Sequence, residues 1–217
     1  MSAPPNFNRL APLYRWMEYS TLGPFLARAR STYLPQTTTA RNALILGDGD
    51  GRFTARLLRT NPHIHIDAVD ASPSMLAALL RRAGPHAARV RIHHADARTL
   101  LPPSPLYDLL ITHFFLDCLT TAEVASLAAT LRAAAAPQAL WLLSEFAIPP
   151  SLYGRLIAAP LVHSLYRAFA LLTALRIRTL PDHHTALLQS GFTLQQRRPR
   201  LAGLLITELW SATSTHS

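Results

Sequence analysis

The residues best placed to do chemistry form a glycine loop directly after a short apolar stretch. Gly47, Gly49 and Gly51 stand at every second position after the predicted strand 43–46, and a helical pattern starts at residue 53. A strand, a glycine turn and a helix together open a nucleotide-binding α/β unit. The glycines allow a sharp turn and let a ligand approach the main chain without meeting a Cβ atom.

Two carboxylates inside the loop restrict the ligand. Asp48 and Asp50 alternate with the glycines, where a pyrophosphate would need backbone N–H groups and a positive helix end. Two negative charges would repel a dinucleotide. They favour a ligand that carries a cation, such as the ammonium and sulfonium groups of S-adenosylmethionine.

The rest of the chain alternates predicted strands and helices, which favours a parallel sheet covered by helices on both faces. The predicted fold is α/β: a Rossmann-like, mostly parallel seven-stranded sheet with helices on both faces and an antiparallel C-terminal strand pair. The 217 residues fit a single domain. We divide it into an N-terminal helical cap (1–36), a cofactor-binding core (43–146), an apolar helical roof (150–180), and a C-terminal helix with strands (181–210).

Ligands of such sheets bind at the carboxyl ends of the strands, and polar residues stand at those ends. Asp70 lies roughly 20 residues past the loop, where an acidic residue takes ribose hydroxyls. Asp96 ends the third strand and can accept from an adenine amino group. The reacting end of the ligand should lie beside residues 112–115. The expected cofactor site also includes Ala71, Met75, Ala97, Thr112 and His113.

From about residue 6 to residue 210, this ordered set resembles the class I S-adenosylmethionine-dependent methyltransferases. The opening segment FNRLAPLY (7–14) and the closing PD…L…GF segment (181–192) look most like the ubiquinone/menaquinone C-methyltransferases and their relatives. The resemblance implies S-adenosylmethionine as cofactor, and it places Tyr14 near the methionine end of that cofactor. It also implies that the region after the fifth strand roofs the acceptor pocket.

One position departs from the family pattern. The family usually has an acidic residue two positions before the first glycine, where this chain has Ile45. Either Asp48 and Asp50 have taken over the contact with the ammonium group, or that contact is weaker here.

Catalytic residues are harder to identify, because methyl transfer from a sulfonium needs positioning and exclusion of water more than a base. His113 and Asp117 are the candidates for a base, which is needed only if the acceptor carries a proton. The alternatives are a strand-end histidine bonded to backbone and an aspartate that caps the helix at Thr121. No metal is expected, because the pairs His93-His94 and His183-His184 lack a matching third ligand.

The composition of the chain indicates which binding partners to expect. The net charge is +9, but the 21 basic residues, all arginine, are scattered, so nucleic acid is an unlikely partner. The apolar segment 152–180 favours a small lipophilic or aromatic acceptor, although plain core packing would explain it equally. Its arginines, such as Arg155, would also suit peripheral contact with an anionic membrane. The lone Cys118 fits a reducing, cytoplasmic compartment. The oligomeric state is left open.

Three other functions stay open. A nucleotide-dependent oxidoreductase prefers the spacing G-x-G-x-x-G, which this loop lacks. An RNA methyltransferase is suggested by charge alone. A protein that binds the cofactor without catalysis is also compatible with the sequence, because no catalytic residue is obligatory.

Overall fold

The computed structural model describes residues 23–99, 102–103, 106–162, 164 and 180–213. Tyr14 therefore lies outside the described residues. The predicted helical cap is described only from Gly23 onward, and most of the predicted roof, 165–179, is also outside.

The described residues form a seven-stranded sheet in the spatial order β3-β2-β1-β4-β5-β7-β6. Strands β1 to β5 run parallel, and β7 lies antiparallel between β5 and β6, so the predicted fold class is confirmed. The strands are β1 (Asn42–Leu46), β2 (His65–Asp70), β3 (Val90–His94), β4 (Tyr107–His113), β5 (Ala135–Phe146), β6 (Phe192–Arg200) and β7 (Leu205–Ala212).

Helices cover both faces of the sheet. They are α1 (Gly23–Arg30), α2 (Arg52–Thr60), α3 (Pro73–Ala83), α4 (Thr121–Ala134) and α5 (His183–Gln189), with a π-helical turn at Gly154–Ala158. On one face, α2 and α3 pack Phe53, Leu57 and Leu79 against β1 and β4. On the other face, α4 and α5 pack against a core that includes Trp141 and Trp210.

Local sequence signals set the helix starts. Ser72 caps α3 by accepting from the Met75 N–H, with Pro73 at the first helical position. Thr120 and Glu123 form a reciprocal capping box at the start of α4. Because Thr120 fills that position, the alternative in which Asp117 caps this helix is wrong.

The parallel register brings the carboxyl ends of four strands to one edge. Leu46 of β1 pairs with Val69 of β2 and with Thr112 of β4, which in turn pairs with Leu143 of β5. We call this the carboxyl edge. The glycine loop and the turn that follows β4 both lie along it.

Gly49 and Gly51 of the loop have different roles. Both have positive φ, +58° and +80°, a region that residues with a Cβ adopt only at a cost. A Cβ on Gly51 would lie 2.6 Å from the Leu79 Cα atom of α3, whereas a Cβ on Gly49 would meet nothing within 4 Å. Gly51 therefore permits close packing of the loop on α3, and Gly49 leaves open space above the main chain.

We expect Gly51→Ala to lower the free energy of unfolding by about 2–4 kcal/mol, because left-handed strain adds to a backbone clash. Gly49→Ala is the matched control and should cost only about 1 kcal/mol, since only the strain applies. Urea denaturation of both variants measures the difference. Equal losses would contradict the packing role of Gly51.

Candidate functional site

Gly47 and Phe115 connect the glycine loop to the turn after β4. Phe115 lies so close to Gly47 that a Cβ there would collide with its ring. The backbone of Phe114, one residue earlier, has a φ of +55°, a strained value for a residue with a Cβ. The chain thus turns sharply at the end of β4 and places an aromatic wall against the loop.

Asp70 lies at the end of β2 and ties this strand to the loop. Its Oδ1 atom accepts from the Ser72 N–H at 2.8 Å, and the Gly49 N–H also donates to its carboxylate. Burial, reinforced by the nearby Asp48 carboxylate, raises the pKa of Asp70 to about 6. The ionised form of a partly buried carboxylate is favoured by added hydrogen-bond donors.

The two loop carboxylates differ in their contacts. Asp48 Oδ2 accepts from both the N–H and the hydroxyl of Thr54, at 2.8 and 2.7 Å, and so caps the first turn of α2. Burial raises the pKa of Asp48. Asp50 instead pairs with the guanidinium groups of Arg52 and Arg82. The interpretation that both carboxylates repel a dinucleotide therefore needs correction, because two arginines balance the charge of Asp50.

The carboxylate that follows β3 is also paired with a neighbouring side chain. Asp96 accepts from Nε and Nη2 of Arg98, and this pairing is the main reason that the pKa of Asp96 is lowered. Ala97 begins a 3-10 turn, Ala97–Thr99, and packs against the core. An adenine amino group would share the Asp96 carboxylate with Arg98.

The next residues of the predicted site contact other parts of the protein through the backbone or in the core. The carbonyl oxygen of Ala71 lies 3.1 Å from His94 Nε2, and Met75 is part of the capped first turn of α3. Thr112 is fully buried, and its hydroxyl accepts from the indole N–H of Trp141 at 2.9 Å. The Thr112 side chain therefore points into the core, and contact of this residue with the cofactor stays a prediction.

His113 is the last residue of β4 and is 4% exposed. Neither of its ring nitrogens has a hydrogen-bond partner among the described residues, and its ring packs edge-on to Phe53 with 4.6 Å between ring centroids. The alternative of a histidine bonded to backbone is therefore wrong. Burial, together with the charge of Arg30, lowers the pKa of His113 well below its ordinary value, so the imidazole is neutral at pH 7.

Arg30, at the end of α1, was not predicted as a site residue. Its guanidinium carbon lies 5.2 Å from the centroid of the Phe114 ring. Its charge acts on the pKa values of both Asp48 and His113, so it lies near the two residues at the carboxyl edge. A basic residue at a helix end carries no sequence signal for such a position.

A cavity of about 220 Å³ opens beside the ends of β4 and β5. Its polar wall includes Asp117, from the 3-10 turn Leu116–Cys118, and Glu145 of β5. Its apolar wall includes Leu116, Phe146, Ile148 and Ile206. Glu145 was not predicted as a site residue, since a single acid at a strand end is a weak signal.

The residues at the carboxyl edge fit the predicted cofactor. The space above Gly49 would accept a ligand close to the main chain. Asp70 offers a carboxylate for hydroxyl groups, and His113 offers two nitrogens without partners. Buried polar groups normally have partners, so the missing partner of His113 indicates a ligand that the described residues do not supply.

Comparison with known protein families gives one match. Residues 44–140 match the model of a family described as a methyltransferase domain. No curated protein sequence matches the chain significantly.

Solved structures share the fold over most of this chain. An O-methyltransferase family protein from Burkholderia thailandensis has a TM-score of 0.73 at 14% identity, covering 96% of this chain and 61% of its own. The S-adenosylmethionine-dependent methyltransferase SibL has a TM-score of 0.69 at 22% identity, covering 99% and 64%. The N-methyltransferase NodS from Bradyrhizobium japonicum, solved with S-adenosyl-L-homocysteine, has a TM-score of 0.62 at 15% identity, covering 87% and 88%.

The chain thus spans 61% and 64% of the length of the first two of these proteins. The narrower resemblance to the ubiquinone/menaquinone group is not supported by these matches and stays a prediction. The match of residues 44–140 to a methyltransferase-domain model and the fold shared with methyltransferase structures agree with the expected class I methyltransferase fold and with S-adenosylmethionine as the expected cofactor.

Proposed function

We propose that this protein transfers a methyl group from S-adenosylmethionine to a small, lipophilic or aromatic acceptor. The observation that carries the proposal is the set Asp70, Gly49 and His113 along one edge. It combines a partly buried carboxylate, open space over a glycine, and an imidazole without partners among the described residues. Asp70 and His113 end parallel strands and Gly49 follows one, and open α/β sheets bind their ligands at these strand ends.

Each residue would contact a different part of the cofactor. Asp70 would accept hydrogen bonds from the ribose hydroxyls. Asp48 would attract the ammonium group, replacing the acidic residue that the family usually has at the position of Ile45. Arg30 would balance the carboxylate of the methionine part, because its charge already acts on Asp48. When bound, S-adenosylmethionine supplies a methyl group that its sulfonium has already activated.

His113 suits the reacting end of this ligand because its imidazole is neutral. A protonated histidine would repel a sulfonium, whereas the low pKa of His113 keeps the ring uncharged. Its burial beside Phe53 also excludes water. Positioning in a dry site is the main contribution a protein makes to such a transfer.

The acceptor class rests on the cavity beside β4 and β5. Its volume of about 220 Å³ and its apolar wall suit a compound about the size of a single aromatic ring. An oxidoreductase remains the alternative, because the arginines that pair with Asp50 weaken the electrostatic argument against a dinucleotide.

We also propose that the protein rests on anionic lipid surfaces. The helical segment 152–162 buries Gly154, Ala158 and Val162, yet Leu152 and Leu156 are 73% and 72% exposed on its outer side. Ile157 and Leu161 extend this outer apolar face. A contiguous exposed apolar face of this kind is typical of a surface that contacts a membrane or a partner.

The positive charge of this segment supports an anionic lipid surface as the partner of the exposed apolar face. Between Glu145 and Asp182 the sequence holds four arginines and no acidic residue, in a chain of net charge +9. Apolar side chains mixed with arginine are typical of helices that lie in the membrane interface. No helix among the described residues is long and apolar enough to cross a membrane.

S-adenosyl-L-homocysteine should bind in the micromolar range and NAD should not, as measured by isothermal titration calorimetry. Because ribose hydroxyls donate to the ionised form of Asp70, whose pKa is about 6, binding should be about tenfold weaker at pH 5 than at pH 7. Asp70→Asn should weaken binding at pH 7 about tenfold or more and remove this pH dependence.

Asp108→Asn is the matched control for Asp70→Asn. Asp108 accepts from the backbone N–H groups of Arg41 and Asn42 at the opposite edge of the sheet, so its loss should leave binding unchanged. Binding of NAD without a response to S-adenosyl-L-homocysteine would contradict the proposed function. Unchanged affinity in a folded Asp70→Asn variant would place the ribose elsewhere.

Asp48→Asn should cost about 1–3 kcal/mol of S-adenosyl-L-homocysteine binding, because it removes a charge that attracts the ammonium group. Asp50→Asn should cost less, since Arg52 and Arg82 hold that carboxylate. Calorimetry with a deamino analogue is the control, because this ligand should not respond to Asp48→Asn. Equal losses for both ligands would leave Asp48 as a cap of α2 only.

Vesicles of phosphatidylglycerol and phosphatidylcholine should co-sediment with the protein, and added salt should weaken this binding. The double change Leu152→Ser with Leu156→Ser should abolish it. Leu188→Ser in α5 removes a leucine that is 48% exposed elsewhere and should not. Equal retention of the double variant would refute lipid docking. So would a dimer, seen by analytical ultracentrifugation, that the double variant dissociates.

A further inference from the structure

Glu145 occupies an unusual position in the cavity beside β4 and β5. The side chain is only 2% exposed although it lies at a strand end. Its Oε1 atom accepts from the backbone N–H groups of Phe115 and Leu116, at 3.3 and 3.0 Å. Oε2 is buried and has no hydrogen-bond partner among the described residues. One oxygen of this cavity-lining residue is therefore fixed, while the other is buried and left without a partner.

The same contacts connect this carboxyl group to the cofactor loop. Phe115, whose N–H donates to Glu145, also packs its ring against Gly47. Phe115 thus links the Glu145 carboxyl group to the loop that would hold the cofactor.

We propose that Glu145 Oε2 accepts the proton of the methyl acceptor, and that the cavity beside it binds a small aromatic hydroxyl or amine. This inference rests on the proposed methyltransferase function. In the step, the bond between sulfur and methyl breaks with its electron pair left on sulfur. The acceptor oxygen or nitrogen forms the new bond to carbon, and its proton moves to the Glu145 carboxylate.

The surroundings favour Glu145 over the other candidate bases. Burial and repulsion by Asp117 raise the pKa of Glu145 well above its ordinary value, which makes it a stronger base than an exposed carboxylate. The lowered pKa of His113 makes that imidazole a weaker base. Asp117 acts on Glu145 through its charge.

Other titratable groups face the same cavity. Asp182, His183 and His184 stand at the start of α5, and Arg197 reaches it from β6. Arg197 and His183 both contact the buried Glu208 carboxylate, which balances the guanidinium charge. Cys118, next to Asp117, has a pKa raised well above its ordinary value by burial, so it stays neutral at pH 7.

The first measurement is the NMR signal of carboxyl carbons in protein labelled with ¹³Cδ-glutamate. The sequence has four glutamates, and Glu145→Gln identifies the signal of interest. With S-adenosyl-L-homocysteine bound, catechol or aniline should shift this signal in a saturable way. If both probes leave all four signals unmoved, the proposal is overturned.

The second measurement is methyl transfer from S-adenosylmethionine to catechol and aniline, detected by mass spectrometry. Glu145→Gln keeps an oxygen for the Phe115 and Leu116 N–H groups but cannot take a proton, so its rate should fall about 100-fold or more. Wild-type rate should rise with pH up to the pKa of Glu145, and Glu145→Gln should lose that rise. Glu123→Gln, in the capping box of α4, should match the wild type.

The outcomes separate this inference from the proposed function. Wild-type rates in Glu145→Gln, or no transfer to either probe, would overturn the role of Glu145 while calorimetric binding of S-adenosyl-L-homocysteine persists. If the wild-type protein does not bind S-adenosyl-L-homocysteine in calorimetry, the proposed function is refuted instead.

Discussion

The parallel pairing of β1 with β2 on one side and with β4 on the other brings the glycine loop and the last residues of β2 and β4 to one place. Since strands in this register end together, the glycine loop, Asp70 and His113 share one edge although the chain separates them by up to 66 residues. The apolar packing of α2 and α3 on one face and of α4 and α5 on the other holds that register. Packing on the two faces stabilises the sheet, and the carboxyl edge holds the candidate site.

Polar groups along this edge are less satisfied than the protein interior normally allows. His113 lacks partners for both nitrogens, and Glu145 lacks one for Oε2. Asp70 has a pKa of about 6, above the ordinary value that it regains on unfolding. The folded protein therefore binds more protons between about pH 4 and pH 6, and this carboxyl group reduces stability as pH rises through that window. Hydrogen bonds from ligand hydroxyls to the ionised Asp70 would offset this loss of stability, so ligand binding should stabilise the folded protein.

The sequence predicts the fold and the loop because their signals are local. Alternating strands and helices, a glycine at every second position, and the Ser72 cap depend on neighbouring residues. Arg30, Glu145 and the arginines that pair with Asp50 depend instead on contacts between distant segments. Thr112 shows the same limit, because its direction is set by a hydrogen bond to Trp141 on the next strand. The side of a strand that a residue faces is decided by packing that no local pattern encodes.

The most direct test of this account is a crystal structure of the protein soaked with S-adenosyl-L-homocysteine. The account predicts ribose hydroxyls within hydrogen-bond distance of the Asp70 carboxylate, with the amino-acid part of the ligand above Gly49 and its sulfur near His113. A ligand whose ribose lies away from Asp70, or whose sulfur lies away from the end of β4, would contradict it.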